Sequence, residues 1–441
     1  MDLSYLAEGF GWLLLVAGGA YAFLRILFAR SIISFTDPLN ISIILLAFYF
    51  SGALFIVTIH PVNKSYVDVL VLNGIFVFAA ALASRAPMLQ RSIALSDQHT
   101  HHFYFACFFL GLLLVNLVVN QIFGIMPLFA GTQARSELGT TAIPSLVLLT
   151  PDIGTVLLLV YLLTDSRAVK RVGAAGVVVA AISAVLNGSK SAVVVTTLLL
   201  LFTGDYILHL RARAPQSNAQ MHELKRRITS TRRWIAVTAC ALVFILPLYL
   251  VFVGADSGEN GPGGAFEGFA TRLFGGFDNL AFIAFSDLDI TSARNINLTE
   301  FYFYPFYKRF FFTPEFQSAG EYILYLATNN YNFATNGLVP NSNFAIELLL
   351  HYGNMLVAGA VVIATSFGLF VARRHLINKA ALSIMHVVLW TSLVMAPLAL
   401  LFDGAYFIIR LYTLFTFYLA FNSIENIFMW IRGARPHYKF Y

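Results

Sequence analysis

Residues 39–85 read LNISIILLAFYFSGALFIVTIHPVNKSYVDVLVLNGIFVFAAALASR, two apolar runs joined by a polar turn, with Lys64, Asp68 and Arg85 as the only charges. Each run is close to the ~20 residues that an α-helix needs to cross ~30 Å of hydrocarbon. Neither alternates apolar and polar residues as a strand of a membrane barrel does. In lipid, an unclosed segment satisfies its backbone hydrogen bonds only as a helix. The stretch therefore predicts a helical hairpin across a membrane.

Outward from this hairpin the pattern recurs. The 441 residues are 59% hydrophobic and 11% charged, too little polar surface to cover a water-soluble globule of that length. Long apolar stretches lie at 5–28, 39–60, 65–84, 103–123, 142–164, 172–188, 191–210, 234–254, 342–371, 380–401 and 405–430. The predicted fold is all-α, a polytopic membrane bundle of about eleven transmembrane helices forming one integral membrane domain over 1–441.

Orientation follows from Lys and Arg near the ends of spans. Of 28 such residues, 20 fall in alternate loops, from Arg25 and Arg30 through Arg85, Arg91, Arg167 and the dense group Arg211–Arg233 to Arg373, Arg374 and Arg435. Those loops are assigned to the cytoplasm, which puts the N-terminus outside and the C-terminus inside. The other side keeps Lys64, Arg135, Lys190, Arg272, Arg294, Lys308 and Arg309, and Arg410 stands within the last span. The cytoplasmic cluster reads as topogenic and lipid-facing, so no nucleic-acid partner is expected.

Cys107 and Cys240 both lie in apolar spans and read as small buried hydrophobes, with no disulfide framework or metal site. The first span lacks a basic leader and a small-residue cleavage site, so it is read as a retained helix. No internal repeat or soluble enzymatic domain is visible.

The exception to a plain bundle is residues 255–341, a large extracytoplasmic loop between the eighth and ninth spans. It opens on the Gly-rich GADSGENGPGGAFEG and continues through ATRLFGGFDNLAFIAFSD, an interfacial or re-entrant helix. The remainder is dense in Tyr, Phe and Asn. These rings have two readings. Tyr302, Tyr304 and Tyr307 with Phe310–Phe312 suit an aromatic belt at the headgroups. Tyr322, Tyr325 and Tyr331, with Asn329, Asn330 and Asn332, suit a carbohydrate platform, because sugar C–H faces stack on rings and sugar hydroxyls bond to amides.

Outward basic residues run against the topology rule and need another reason to be there. Arg135, Lys190, Arg294, Lys308, Arg309 and Arg410 would suit an anionic ligand, the guanidinium fork giving paired charge-assisted hydrogen bonds to phosphate. Each also has a plainer reading. Arg410 could pair with Asp403, Glu347 or Asp152, Lys190 and Arg272 could snorkel to headgroups, and Arg135 has Glu137 nearby.

The segment NGLVPNSNFAIELLLHYGNMLVAG, residues 336–359, resembles the loop-to-helix segment near the end of bacterial O-antigen polymerases and related repeat-unit polymerases and ligases. The matching positions are Pro340, Asn341, Asn343, Glu347 and Gly353, with His351 an added polar residue. LNGSKSAVVVTTLLLLF, residues 186–202, resembles the family's outer turn entering a span, with Lys190 where Arg often stands. The resemblance implies a GT-C-like bundle in the bacterial inner membrane acting on its periplasmic face.

It further implies a metal-independent, inverting glycosyltransferase that needs no cofactor and joins undecaprenyl-diphosphate-linked oligosaccharide repeat units. A chain-length regulator and a flippase would be partners beside membrane lipid. Arg135, Lys190, Arg294 and Arg410 would stabilise charge on the departing diphosphate. Glu347 or His351, four residues apart and so on one helical face, would take the acceptor proton. Tyr322, Tyr325, Tyr331, Asn341, Asn343, Lys308 and Arg309 would bind the glycan. The absence of a clear His-Asn pair before span nine favours polymerase over ligase. A flippase or transporter of lipid-linked oligosaccharides is the other class. Such proteins commonly carry repeated halves and broken helices, neither of which is visible in this sequence.

Overall fold

The structure is a computed structural model describing residues 9–32, 34–85, 99–118, 144–164, 166–186, 278–293, 296–303, 316, 319–331, 343–379, 398–401 and 404–431, with isolated positions between 202 and 237. The regular elements among these residues are all helical. Four of the helices are long and apolar enough to cross a membrane: Phe10–Leu27 (α1), Pro38–Ile59 (α2), Lys64–Ser84 (α3) and the Met355–Arg374 part of a later helix. Leu15, Ile26 and Leu356 turn outward from these helices and are largely exposed. Such apolar outer faces suit a lipid surround, so the chain is that of a membrane protein.

The predicted hairpin is α2 and α3, and its helix starts are set by side chains. Asp37 accepts from Leu39 N at 2.9 Å, with Pro38 at the first helical position. Asn63 caps α3 by accepting from Tyr66 N at 2.9 Å. Polar groups inside the bundle turn to neighbouring backbone, since hydrocarbon offers no partner. Ser51 Oγ donates to Leu13 O at 2.6 Å, and Tyr66 Oη donates to Ala53 O.

Contacts gather the chain into two units, one of residues 1–88, 232–374 and 395–409, the other of 89–231, 375–394 and 410–441. In the first unit, Asp278–Phe285 (α7) and Ala319–Thr328 (α8) belong to the stretch predicted as the large loop. The α7 helix packs on α8 and on the ends of α2 and α3. Asn63 fastens it there: its amide nitrogen donates to Ile283 O at 3.2 Å and Leu288 O at 3.0 Å, while its oxygen still caps α3. Ser65 adds a second tie, donating to Asp289 Oδ1 at 3.2 Å and accepting from Ile290 N at 3.1 Å.

The sequence predicted one span over 342–371. The structure corrects this, placing Phe344–Tyr352 (α9) and Met355–Lys379 (α10) as separate helices. Gly353 closes α9 with φ 60°, a left-handed conformation that suits a residue without Cβ, and Asn354 Oδ1 accepts from Leu356 N at 2.9 Å to start α10. The interruption falls at the polar HYGN, residues 351–354, inside the predicted span. From there α10 runs alongside α3, where Ser366 Oγ donates to Phe76 O at 2.8 Å. It reaches the opposite end of the hairpin from α7, and there Arg373 donates to both oxygens of Asp37 at 3.0 and 3.2 Å. Read as a lipid-facing topogenic residue in the sequence, Arg373 is almost fully buried.

In the second unit, Pro144–Leu163 (α5) and Arg167–Leu186 (α6) form a hairpin against His99–Val115 (α4). Phe105, Phe109 and Leu113 pack with Ile153, Val156 and Leu157, and with Leu414 and Phe421 from Gly404–Ile431 (α11). Asn116 Nδ2 donates to Thr150 Oγ1 at 3.0 Å inside this core. Cys107 is a half-buried free thiol on α4.

Candidate functional site

The family-like segment folds as α9, and its start is polar and buried. Asn343 accepts from Ile346 N at 2.9 Å as the helix cap, and donates to Tyr49 Oη at 2.7 Å. Tyr49 also accepts from Asn73 Nδ2 at 3.0 Å. Tyr49 and Asn73 stand roughly midway along α2 and α3, so α9 begins near the middle of the hairpin's depth. It ends at the level of the 278–303 stretch, where His351 Nδ1 lies 2.7 Å from Ile296 O. Nine residues at 1.5 Å each make it a half-helix of about 13 Å.

One turn beyond Asn343, the buried Glu347 accepts from Tyr302 Oη at 2.8 Å. Gly404 faces it, and a Cβ there would collide with the Glu347 carboxylate and come within 3.2 Å of Phe344 Cα. Only a residue without a side chain lets α11 start against this carboxylate. His351, one turn further, is exposed. A carbonyl only accepts, so the proton of its 2.7 Å contact sits on Nδ1, and in the neutral ring Nε2 keeps an acceptor lone pair.

The three predicted tyrosines gather around one ring. Phe316 meets Tyr322 at 5.2 Å, Tyr325 at 5.2 Å and Tyr331 at 5.5 Å between centroids, in tilted and edge-on arrangements. Phe316 is buried, whereas Tyr331 is exposed. The Tyr322 hydroxyl donates to Ala293 O at 3.2 Å, the residue before Arg294.

Of the predicted site residues, the structure thus brings Asn343, Glu347 and His351 together on α9 and Tyr322, Tyr325 and Tyr331 together around Phe316. Arg410 lies on α11, six residues after Gly404, its side chain outside the described atoms. Arg135, Lys190, Arg294, Lys308, Arg309 and Asn341 lie outside the described residues. Tyr302, Tyr49, Asn73 and Gly404 were not predicted as site residues. Their roles depend on partners far away in sequence. Among the described residues, no three His, Cys, Asp or Glu side chains gather as a metal site requires.

No family model, curated protein or solved structure matches the chain.

Proposed function

We propose that the protein is a glycosyltransferase of the repeat-unit polymerase kind, joining undecaprenyl-diphosphate-linked oligosaccharides on the periplasmic face of a bacterial inner membrane. The observation that carries this reading is the half-helix α9, which holds a buried carboxylate, Glu347, and an exposed imidazole, His351, on one face. In the reaction, an acceptor sugar hydroxyl attacks the anomeric carbon of the donor glycan. The bond from that carbon to the diphosphate oxygen breaks, the diphosphate leaves with the bonding electrons, and the hydroxyl proton passes to a base.

His351 suits the base, because its Nδ1 contact to Ile296 O orients the ring and leaves Nε2 to accept. Glu347 suits a positioning role, since it is buried and already accepts from Tyr302. Arg135, Lys190, Arg294 and Arg410 are assigned to the diphosphate, each such donor contributing about 3–4 kcal/mol to the transition state. Tyr322, Tyr325 and Tyr331 offer ring surface to sugar, with Lys308, Arg309 and Asn341 assigned to the same glycan.

The test is a gel of purified protein incubated with undecaprenyl-diphosphate-linked repeat units and no nucleotide sugar. A glycan ladder is expected, and its loss in Arg294→Ala and Arg410→Ala, with membrane insertion unchanged. Intact substrate, with the host's own glycans tested, would overturn the reading.

One observation favours transport as a second reading. Transporters build their sites from half-helices that start at mid-membrane, and α9 starts beside Tyr49 and Asn73 at mid-hairpin. Movement of labelled lipid-linked glycan across proteoliposomes without any change in its length would select it.

A further inference from the structure

Of the four rings that meet at Phe316, Tyr331 alone is exposed, at 44%, while Tyr322 and Tyr325 are half-buried and Phe316 is buried. The chain reverses to bring Tyr331 there. Near the end of α8, the Thr328 hydroxyl donates to Leu324 O at 2.7 Å. Asn329 follows at φ 49°, a left-handed turn that asparagine tolerates better than most residues with a side chain. Tyr331 therefore returns to the ring on which Tyr322 and Tyr325 already pack.

The same stretch of chain holds this cluster and the His351 imidazole. Tyr322 Oη donates to Ala293 O, and His351 Nδ1 donates to Ile296 O. The two carbonyls belong to residues three apart, a separation of at most about 11 Å even in a fully extended chain. The α8 helix also packs on α7, which Asn63 ties to the start of α3, so one framework positions ring cluster and imidazole together. Tyr331 stands one step beyond Tyr322, across Phe316. From His351 to Tyr331 is thus the reach of an oligosaccharide, with an exposed imidazole at one end and an exposed ring at the other.

We infer that Tyr331 is the residue that selects the acceptor glycan: a pyranose set back from the reacting unit lays its C–H face on the Tyr331 ring while the reacting hydroxyl stands at His351. This inference rests on the glycosyltransferase reading, in which His351 takes the acceptor proton, so the glycan running from His351 to Tyr331 is the acceptor. Sugar C–H faces stack on an exposed ring, whereas Tyr322 and Tyr325 serve to hold Phe316 and the platform in place.

The test compares the full chain with Tyr331→Ala and Tyr331→Trp, each purified in detergent and checked by its unfolding midpoint. Calorimetric titration uses oligosaccharides released from the host's undecaprenyl diphosphate. Tyr331→Ala should weaken their binding about tenfold, and Tyr331→Trp, which keeps a ring, should preserve it. Transfer is then followed from lipid-linked donor to lipid-free acceptors, from a single sugar to a full repeat unit. Tyr331→Ala should raise KM about tenfold for the long acceptors alone, with kcat and the KM for donor unchanged. Equal binding by the unaltered chain and Tyr331→Ala, or none by either, would assign the ring to an aromatic belt and overturn the inference. A rise in KM for the donor alone would overturn it too. Binding that depends on Tyr331, without transfer by the unaltered chain, would keep Tyr331 as a sugar site and overturn the glycosyltransferase reading instead.

Discussion

The Tyr302 hydroxyl donates to Glu347 Oε2 at 2.8 Å across 45 residues of chain, joining the stretch read as an aromatic outer loop to the buried carboxylate of α9. Tyr302→Phe removes a hydrogen bond to a buried acid and should cost about 2 kcal/mol. Thermal unfolding of the detergent-solubilised protein would show it. Glu347→Gln keeps an acceptor and should cost less.

Gly404→Ala puts a methyl group where the Glu347 carboxylate stands. Overpacking of this kind costs about 1–3 kcal/mol. Pairing it with Glu347→Ala, which vacates the space, should restore part of the loss. Two independent penalties that simply add would contradict the contact.

His351→Gln retains an N–H donor for Ile296 O but loses the ring base. Polymer formation should fall about 10²- to 10⁴-fold with the unfolding midpoint nearly unchanged. Full activity in the ladder assay would remove His351 from the reaction.

Arg373→Met removes the guanidinium that donates to both Asp37 oxygens and should cost about 3–5 kcal/mol. The double variant Asp37→Leu with Arg373→Met should recover most of that, leaving a deficit of about 1 kcal/mol because Asp37 also caps α2. A double variant as unstable as the single would show that the pair does more than neutralise itself.

Asp289 supplies a pH dependence. The Thr291 hydroxyl, donating at 2.6 Å, holds its carboxyl below the ordinary carboxylate range, and the Thr291 N–H and Ser65 hydroxyl add to this against a contrary push from burial. A depressed value in the folded state means that the stabilisation is complete above the unfolded value of about 3.9 and is lost as pH falls through the lower folded one. Pepsin should therefore cut residues 286–293 faster as pH falls below about 4, and Asp289→Asn should flatten the change.

Sequence and structure agree where hydropathy and capping act within a few residues of one another. The spans predicted at 39–60 and 65–84 form as Pro38–Ile59 and Lys64–Ser84, because Asp37 and Asn63 stop the apolar runs where their side chains cap. The break in the predicted ninth span coincides with HYGN, a polar dip of only four residues that was absorbed into the apolar runs on both sides. Gly followed by Asn was the available signal, a left-handed helix end and then a cap. Arg373 looked like any basic residue at the end of a span, and its burial is caused by Asp37, 336 residues away. Tyr302 could not be told from its aromatic neighbours, for the same reason. Sequence showed which residues carry charge and rings, and long-range pairing decided which of them point inward.

The single side chain of Asn63 both starts α3 and ends α7. Displacing α7 therefore strips the amide that orients Asn63, and the first turn of a membrane-crossing helix loosens with it. Hydrogen exchange at Tyr66 N–H should therefore rise whenever α7 is displaced, and a deuterium label at that amide would report the position of α7 from within the bundle.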